Sequence, residues 1–98
     1  MYLIREIMYC KPGKVRLMVE KFLAMSKHME KTKMGKMRVL TDFSAERYWT
    51  VVAEQEVKDL GDYAETSRKV MTNKDLQKIM KDYHELVVSG RREIYMVE

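Results

Sequence analysis

The stretch Arg47-Tyr48-Trp49-Thr50-Val51-Val52-Ala53-Glu54-Gln55-Glu56-Val57 decides the fold. Its aromatic and β-branched residues suit a pleated, half-buried surface, and it reads as the strongest strand of the chain. Both of its parities carry large apolar side chains, Trp49 and Val51 on one and Tyr48 and Val52 on the other. A sheet wetted on one side alternates cleanly between apolar and polar residues. This pattern therefore predicts a sheet covered on both faces.

Working outward, Lys36 to Phe43 alternates Met37, Val39, Thr41 and Phe43 against Arg38, Leu40 and Asp42, which predicts a second strand. Ser44-Ala45-Glu46 is a short turn, so the two strands form a hairpin. At the N-terminus, Tyr2 to Tyr9 is a strand with apolar groups on both parities and Arg5 and Glu6 at its centre. Lys11-Pro12-Gly13-Lys14 ends it, because proline cannot continue a ladder and glycine tolerates turn geometry. Val15, Met18, Val19, Phe22, Met25 and Met29 then recur at helical spacing, predicting an amphipathic helix of about 16–18 residues.

After the hairpin, Asp59 caps a helix through Leu60, Tyr63, Ala64, Val70 and Met71. Thr72-Asn73-Lys74-Asp75 matches a capping box and restarts a helix expected to run through Leu76, Ile79, Met80, Tyr83 and Val87. Ser89-Gly90 reads as a stop, and Arg91 to Val97 as a last strand. The order strand, helix, strand, strand, helix, strand is the ferredoxin-like βαββαβ plan of the α+β class. Right-handed crossovers place both helical segments on one face of a four-stranded antiparallel sheet. The 98 residues make one domain, 1–98.

The opposite face is left without a cover from its own chain. A second copy is the cheapest cover, because a two-fold interface needs a single self-complementary surface. The expected partner is thus a second identical chain, the two sheets packing face to face into an α/β barrel.

The opening Tyr2-Leu3-Ile4-Arg5-Glu6-Ile7 followed by Lys11-Pro12-Gly13-Lys14 resembles the start of NIPSNAP-like members of the dimeric α/β-barrel superfamily. Glu54 to Leu60 followed by Tyr63 resembles that superfamily's strand-to-helix junction. The resemblance implies a ferredoxin-like dimer enclosing a pocket. The superfamily includes antibiotic-biosynthesis-type monooxygenases and haem degraders, but their motifs do not carry over. The Glu, Trp and His of the monooxygenase pattern would fall near Gln55, Val57 and Thr66, and the strand-one Asn of haem degraders would meet Arg5, Glu6 or Ile7.

Composition bounds the remaining possibilities. Nineteen Lys and Arg against fifteen Asp and Glu give +4, which calls for no polyanionic partner. The strand order is shared with RNA-recognition modules, yet Arg47 to Ala53 lacks their glycines, so nucleic-acid binding is not expected. Cys10 is the lone cysteine, no stretch is apolar enough to span a membrane, and the expected compartment is the cytoplasm. Ten methionines fit a loosely packed core or an adaptable interface.

His28 and His84 lie on predicted helices with no second ligand at a metal spacing, so no metal or cofactor is expected. Arg5 and Glu6 point to opposite faces, so at least one needs a partner in apolar surroundings; Arg38, Glu54, Tyr95 or the second copy can supply it. Arg5, Tyr48, Trp49 and Tyr95 are the candidate ligand-binding residues, lining an apolar pocket for a small apolar or aromatic molecule. The leading reading is a non-catalytic binding or structural module. The alternative is a cofactor-independent monooxygenase acting on a small aromatic substrate, with Trp49 and Tyr95 shaping the pocket and Arg5 stabilising an anionic intermediate.

Overall fold

The computed structural model describes residues 1–98. The elements are β1 (Tyr2–Cys10), α1 (Val15–Lys31), β2 (Arg38–Thr41), β3 (Thr50–Val57), α2 (Leu60–Thr72), α3 (Lys74–Ile79), a 3₁₀ turn at Tyr83–Glu85 and β4 (Val87–Met96). The four strands form one antiparallel sheet in the order β2-β3-β1-β4. This is the expected α+β ferredoxin-like arrangement.

Cross-strand register sorts the residues between the two faces. Met8 is paired with Val51 and Glu6 with Ala53, while Val39 also pairs with Ala53. Val51, Ala53 and Cys10 join Met18, Val19 and Phe22 of α1 in the core, with Met8, Met37, Val39 and Val87 packed against them. That parity is the helix-covered face. The other parity is helix-free and carries Leu3, Arg5, Ile7 and Tyr9 of β1, Arg38 and Leu40 of β2, Thr50, Val52, Glu54 and Glu56 of β3, and Ser89, Arg91, Glu93 and Tyr95 of β4.

The helical layer is tied down by polar contacts at its ends. Lys21 of α1 donates to the carbonyls of Ile79 (3.1 Å) and Lys81 (2.7 Å), placing a cation at the C-terminal end of α3 where free carbonyls collect. Ser26 Oγ donates to Met37 O at 2.6 Å and anchors α1 to the entry of β2. Asp59 caps α2 as expected, accepting from the amides of Gly61 and Asp62. The cap of α3 is Asn73, one residue beyond the predicted Thr72; its side chain accepts from Leu76 N at 3.0 Å. Only Leu76 of α3 is buried and no residue of α2 is, so α2 rests lightly on the sheet.

Several boundaries differ from the sequence reading. α3 ends at Ile79 rather than running through Val87, because Asp82 takes a left-handed conformation (φ 62°) and turns the chain into the 3₁₀ segment. β4 starts at Val87 and passes through Ser89-Gly90, so that pair is no stop. Gly90 lies opposite Met8, and a Cβ there would sit 3.0 Å from Met8 Sδ and 3.1 Å from Ile7 O. The glycine serves close packing inside the sheet. β2 and β3 do form a hairpin, but β2 covers only Arg38–Thr41 and β3 begins at Thr50. Trp49 has φ 62°, a left-handed geometry foreign to a strand, so Tyr48 and Trp49 belong to the connecting loop.

Candidate functional site

With Tyr48 and Trp49 in the loop, the helix-free face is less apolar than the sequence pattern implied. Its apolar part is Ile7 and Val52 at the centre, flanked by Leu3, Tyr9, Leu40 and Tyr95. The remaining positions are polar. Four of them form one straight row across the sheet, since Arg38 pairs with Glu54, Glu54 with Arg5 and Arg5 with Glu93. The row alternates in sign from edge to edge.

Glu54 is the hub of this row. Its side chain is 7% exposed, and it receives Arg38 through Nε at 2.7 Å and through a second guanidinium nitrogen. Arg5 Nε lies 3.2 Å from the other Glu54 oxygen, but its N–H is not aimed along that line and makes no hydrogen bond. Arg5 reaches Glu93 instead, with Nη1 donating at 3.3 Å. Glu93 also pairs with Arg91 at 2.8 Å and accepts from the Tyr95 hydroxyl at 3.0 Å. Each charge is thus compensated within the chain, as a sheltered ionic row must be.

A cleft of about 390 Å³ opens beside the row, lined by Leu3, Lys36, Met37, Arg38, Glu54, Gln55 and Glu56. It combines one large apolar side chain on the helix-free face, Leu3, with a charged rim. A second cleft, of about 440 Å³, lies on the helical side between α1 and the segment following α3.

The predicted site residues divide into two groups. Arg5 and Tyr95 meet through their shared partner Glu93, and Tyr95 stands opposite Leu3 of the first cleft. Tyr48 and Trp49 sit past Thr50, which pairs with Tyr9, six positions along β1 from Leu3 or roughly 20 Å away. Tyr48 is 86% exposed and Trp49 43%. Within one chain the four residues do not line one pocket. At that far end Arg47 stacks over the Tyr9 ring at 4.4 Å and its carbonyl accepts from Thr50 Oγ1, so the loop folds onto the helix-free face there.

Glu6, on the helix-covered face, found the partner its position required. It pairs with Arg92 and accepts from Tyr63 of α2 at 3.4 Å, while the Arg92 guanidinium lies over the Tyr63 ring. The hydrogen bond to Glu6 holds the Arg92 guanidinium above its ordinary range. Glu93 and Arg91 are not among the candidate site residues of the sequence. Their signal was available in the alternation of β4, where Arg91, Glu93 and Tyr95 share a parity.

No three metal-ligating side chains come together, and no helix is long and apolar enough to cross a membrane. His28 Nε2 stands 4.0 Å from Asp75, a contact between α1 and α3.

No family model and no curated protein matches the sequence. Solved structures do match along the whole chain. A NIPSNAP family protein from Agrobacterium tumefaciens superimposes with a TM-score of 0.84 at 14% identity, over 99% of this chain and 92% of the other. The chain has the fold of the NIPSNAP proteins. A NIPSNAP-like domain protein from Burkholderia xenovorans gives 0.82 at 16% identity, covering 99% and 84%. An antibiotic biosynthesis monooxygenase matches at 0.73 with 8% identity, covering 100% and 99%. The resemblance read from the opening residues therefore holds at the level of fold, which by itself assigns no reaction.

Proposed function

We propose that the chain is a homodimeric binding module in which two helix-free sheet faces close on one another. The observation that carries this reading is the makeup of that face. Ile7 and Val52 at its centre are already sheltered by their neighbours, Leu40 and Tyr95 stay exposed beside them, and Arg5, Arg38, Glu54, Arg91 and Glu93 are already paired with one another. Burying compensated charges together with an apolar centre costs far less than burying free ones. Leu40 and Tyr95 are the large apolar side chains of this face that stay exposed, and they are the apolar surface a second copy would cover.

The ligand side of the proposal rests on the cleft beside Leu3. Its charged rim narrows the expected ligand from a wholly apolar molecule to a small one with an aromatic or aliphatic body and a polar end. The monooxygenase alternative gains no support, because Trp49 and Tyr95 stand at opposite ends of the sheet and Arg5 is engaged by two carboxylates.

The test is titration with 1-anilinonaphthalene-8-sulfonate, an aromatic body with an anionic end, with sedimentation run on the same samples. Saturable binding that Tyr95→Ala weakens and Tyr48→Ser leaves unchanged is expected. Unsaturable binding, or equal response of both variants, contradicts the site.

A further inference from the structure

The cleft beside Leu3 is lined by four charged side chains that are unequally engaged. Arg38 and Glu54 are spent on each other, and Glu54 also faces Arg5. The side chains of Lys36 and Glu56 have no ion-pair or hydrogen-bond partner in the chain, and both stand exposed at the cleft. Lys36 is nevertheless well placed. Gly35, at φ 114°, turns the chain toward β2 in a geometry that suits glycine, and Ser26 Oγ ties down the next residue, donating to Met37 O at 2.6 Å.

Strand register sets these groups in order. Glu56 pairs with Leu3 and Leu3 with Tyr95, while the Arg38–Glu54 pairing continued by two positions brings Lys36 beside Glu56. From the β2 edge inward the row therefore runs cation, anion, aliphatic side chain, aromatic ring. Neighbouring strands stand about 4.8 Å apart, so Glu56 to Tyr95 spans roughly 10 Å. Tyr95 is half exposed and its hydroxyl donates to Glu93 at 3.0 Å, which holds the ring beside Leu3. The charges of the lining cancel, Lys36 and Arg38 against Glu54 and Glu56. A ligand with a single charge would satisfy one free group and meet its own sign at the other. We infer that the cleft takes a zwitterion with an apolar body, an α-amino acid with an aromatic or branched side chain. Its carboxylate sits on Lys36, its ammonium on Glu56, and its side chain over Leu3 toward Tyr95. This rests on the binding reading above and names the class of its ligand.

The experiment is calorimetric titration of the full chain with L-phenylalanine and with two relatives that keep the ring and lose one charge, phenethylamine and hydrocinnamate. L-phenylalanine should bind saturably at millimolar concentration or below. Each relative should bind at least about tenfold more weakly, because it gives up one contact to a charged group.

Two variants assign the ends of the ligand. Lys36→Met should bind L-phenylalanine no better than phenethylamine, because the carboxylate has lost its partner. Glu56→Gln should bind L-phenylalanine no better than hydrocinnamate, because the ammonium has lost its own. Both positions are exposed, so the substitutions spare the fold. A purely structural role would weaken all three ligands alike and leave the preferences in place. Relatives that bind as tightly as L-phenylalanine, titrations that do not saturate, or variants without this crossed loss of preference would overturn the zwitterion. If 1-anilinonaphthalene-8-sulfonate still saturates the cleft in the same samples, the site stands and the ligand class alone falls. If it does not, the site falls as well.

Discussion

Glu54 and Arg38 lie directly opposite each other across the β2–β3 ladder, and the guanidinium closes onto a carboxylate that the sheet has already taken out of water. Glu54 also carries the charge that balances Arg5. Replacing it by alanine leaves Arg5 in a sheltered position with one carboxylate fewer. Glu54→Ala should lower stability by about 2–3 kcal/mol, below the full cost for a buried pair because Arg5 stays 32% exposed. Urea unfolding checks this, and a midpoint within error of the parent would contradict it.

Gly90 is a packing residue in the middle of β4. Met8 Sδ at 3.0 Å can swing aside from an added methyl, but Ile7 O at 3.1 Å is backbone and cannot. Gly90→Ala should therefore cost about 1–2 kcal/mol, as overpacking does, despite the better strand propensity of alanine. A thermal melt that rises instead of falling would show that the sheet can open there.

Asn73 holds the start of α3 through Leu76 N, and Leu76 is the one buried anchor of that helix. Asn73→Ala should cost about 1 kcal/mol. Hydrogen exchange should show faster exchange localised to residues 74–79, with β1 and β3 unchanged.

Burial pushes the Cys10 thiol up from its ordinary value. At neutral pH both folded and unfolded chains keep the proton, so Cys10 adds no pH dependence there. Above the ordinary thiol range the unfolded chain ionises while the folded chain still holds its proton, and stability falls as pH rises. Cys10→Ala should flatten this alkaline limb in urea titrations, and native Cys10 should react slowly with iodoacetamide at neutral pH.

Tyr48 is 86% exposed in the hairpin loop, and Phe43 is fully exposed. Tyr48→Ser and Phe43→Ser should each change monomer stability by less than about 0.5 kcal/mol, measured in urea at a concentration below dimerisation. A larger loss would mean that the loop packs on its own chain.

The legibility of the fold follows from where the determinants are local. Val15 to Met29 repeats at helical spacing over four turns, and α1 lies where that pattern put it. The alternation of Lys36 to Phe43 and Arg47 to Val57 gave the hairpin but overran its ends. Nothing in the residue types of Tyr48 and Trp49 announces a left-handed turn at Trp49, because aromatic residues favour strands elsewhere. Ser89-Gly90 misled for the opposite reason. Glycine usually marks an end, and here it makes room for Met8, a contact between residues 82 positions apart. The same limit governs the candidate site. Arg5 could be singled out as needing a partner, but its choice of Glu54 and Glu93 depends on strand register, which no local pattern encodes.

Sedimentation equilibrium of the parent chain at micromolar concentration, beside Leu40→Asp, tests the central claim most directly. The closed-face account predicts a species of twice the 11.7 kDa chain mass for the parent, and a shift to single chains when a carboxylate is placed at this exposed apolar position of the face. A parent that sediments as a folded single chain, or a Leu40→Asp variant that stays as paired as the parent, contradicts it.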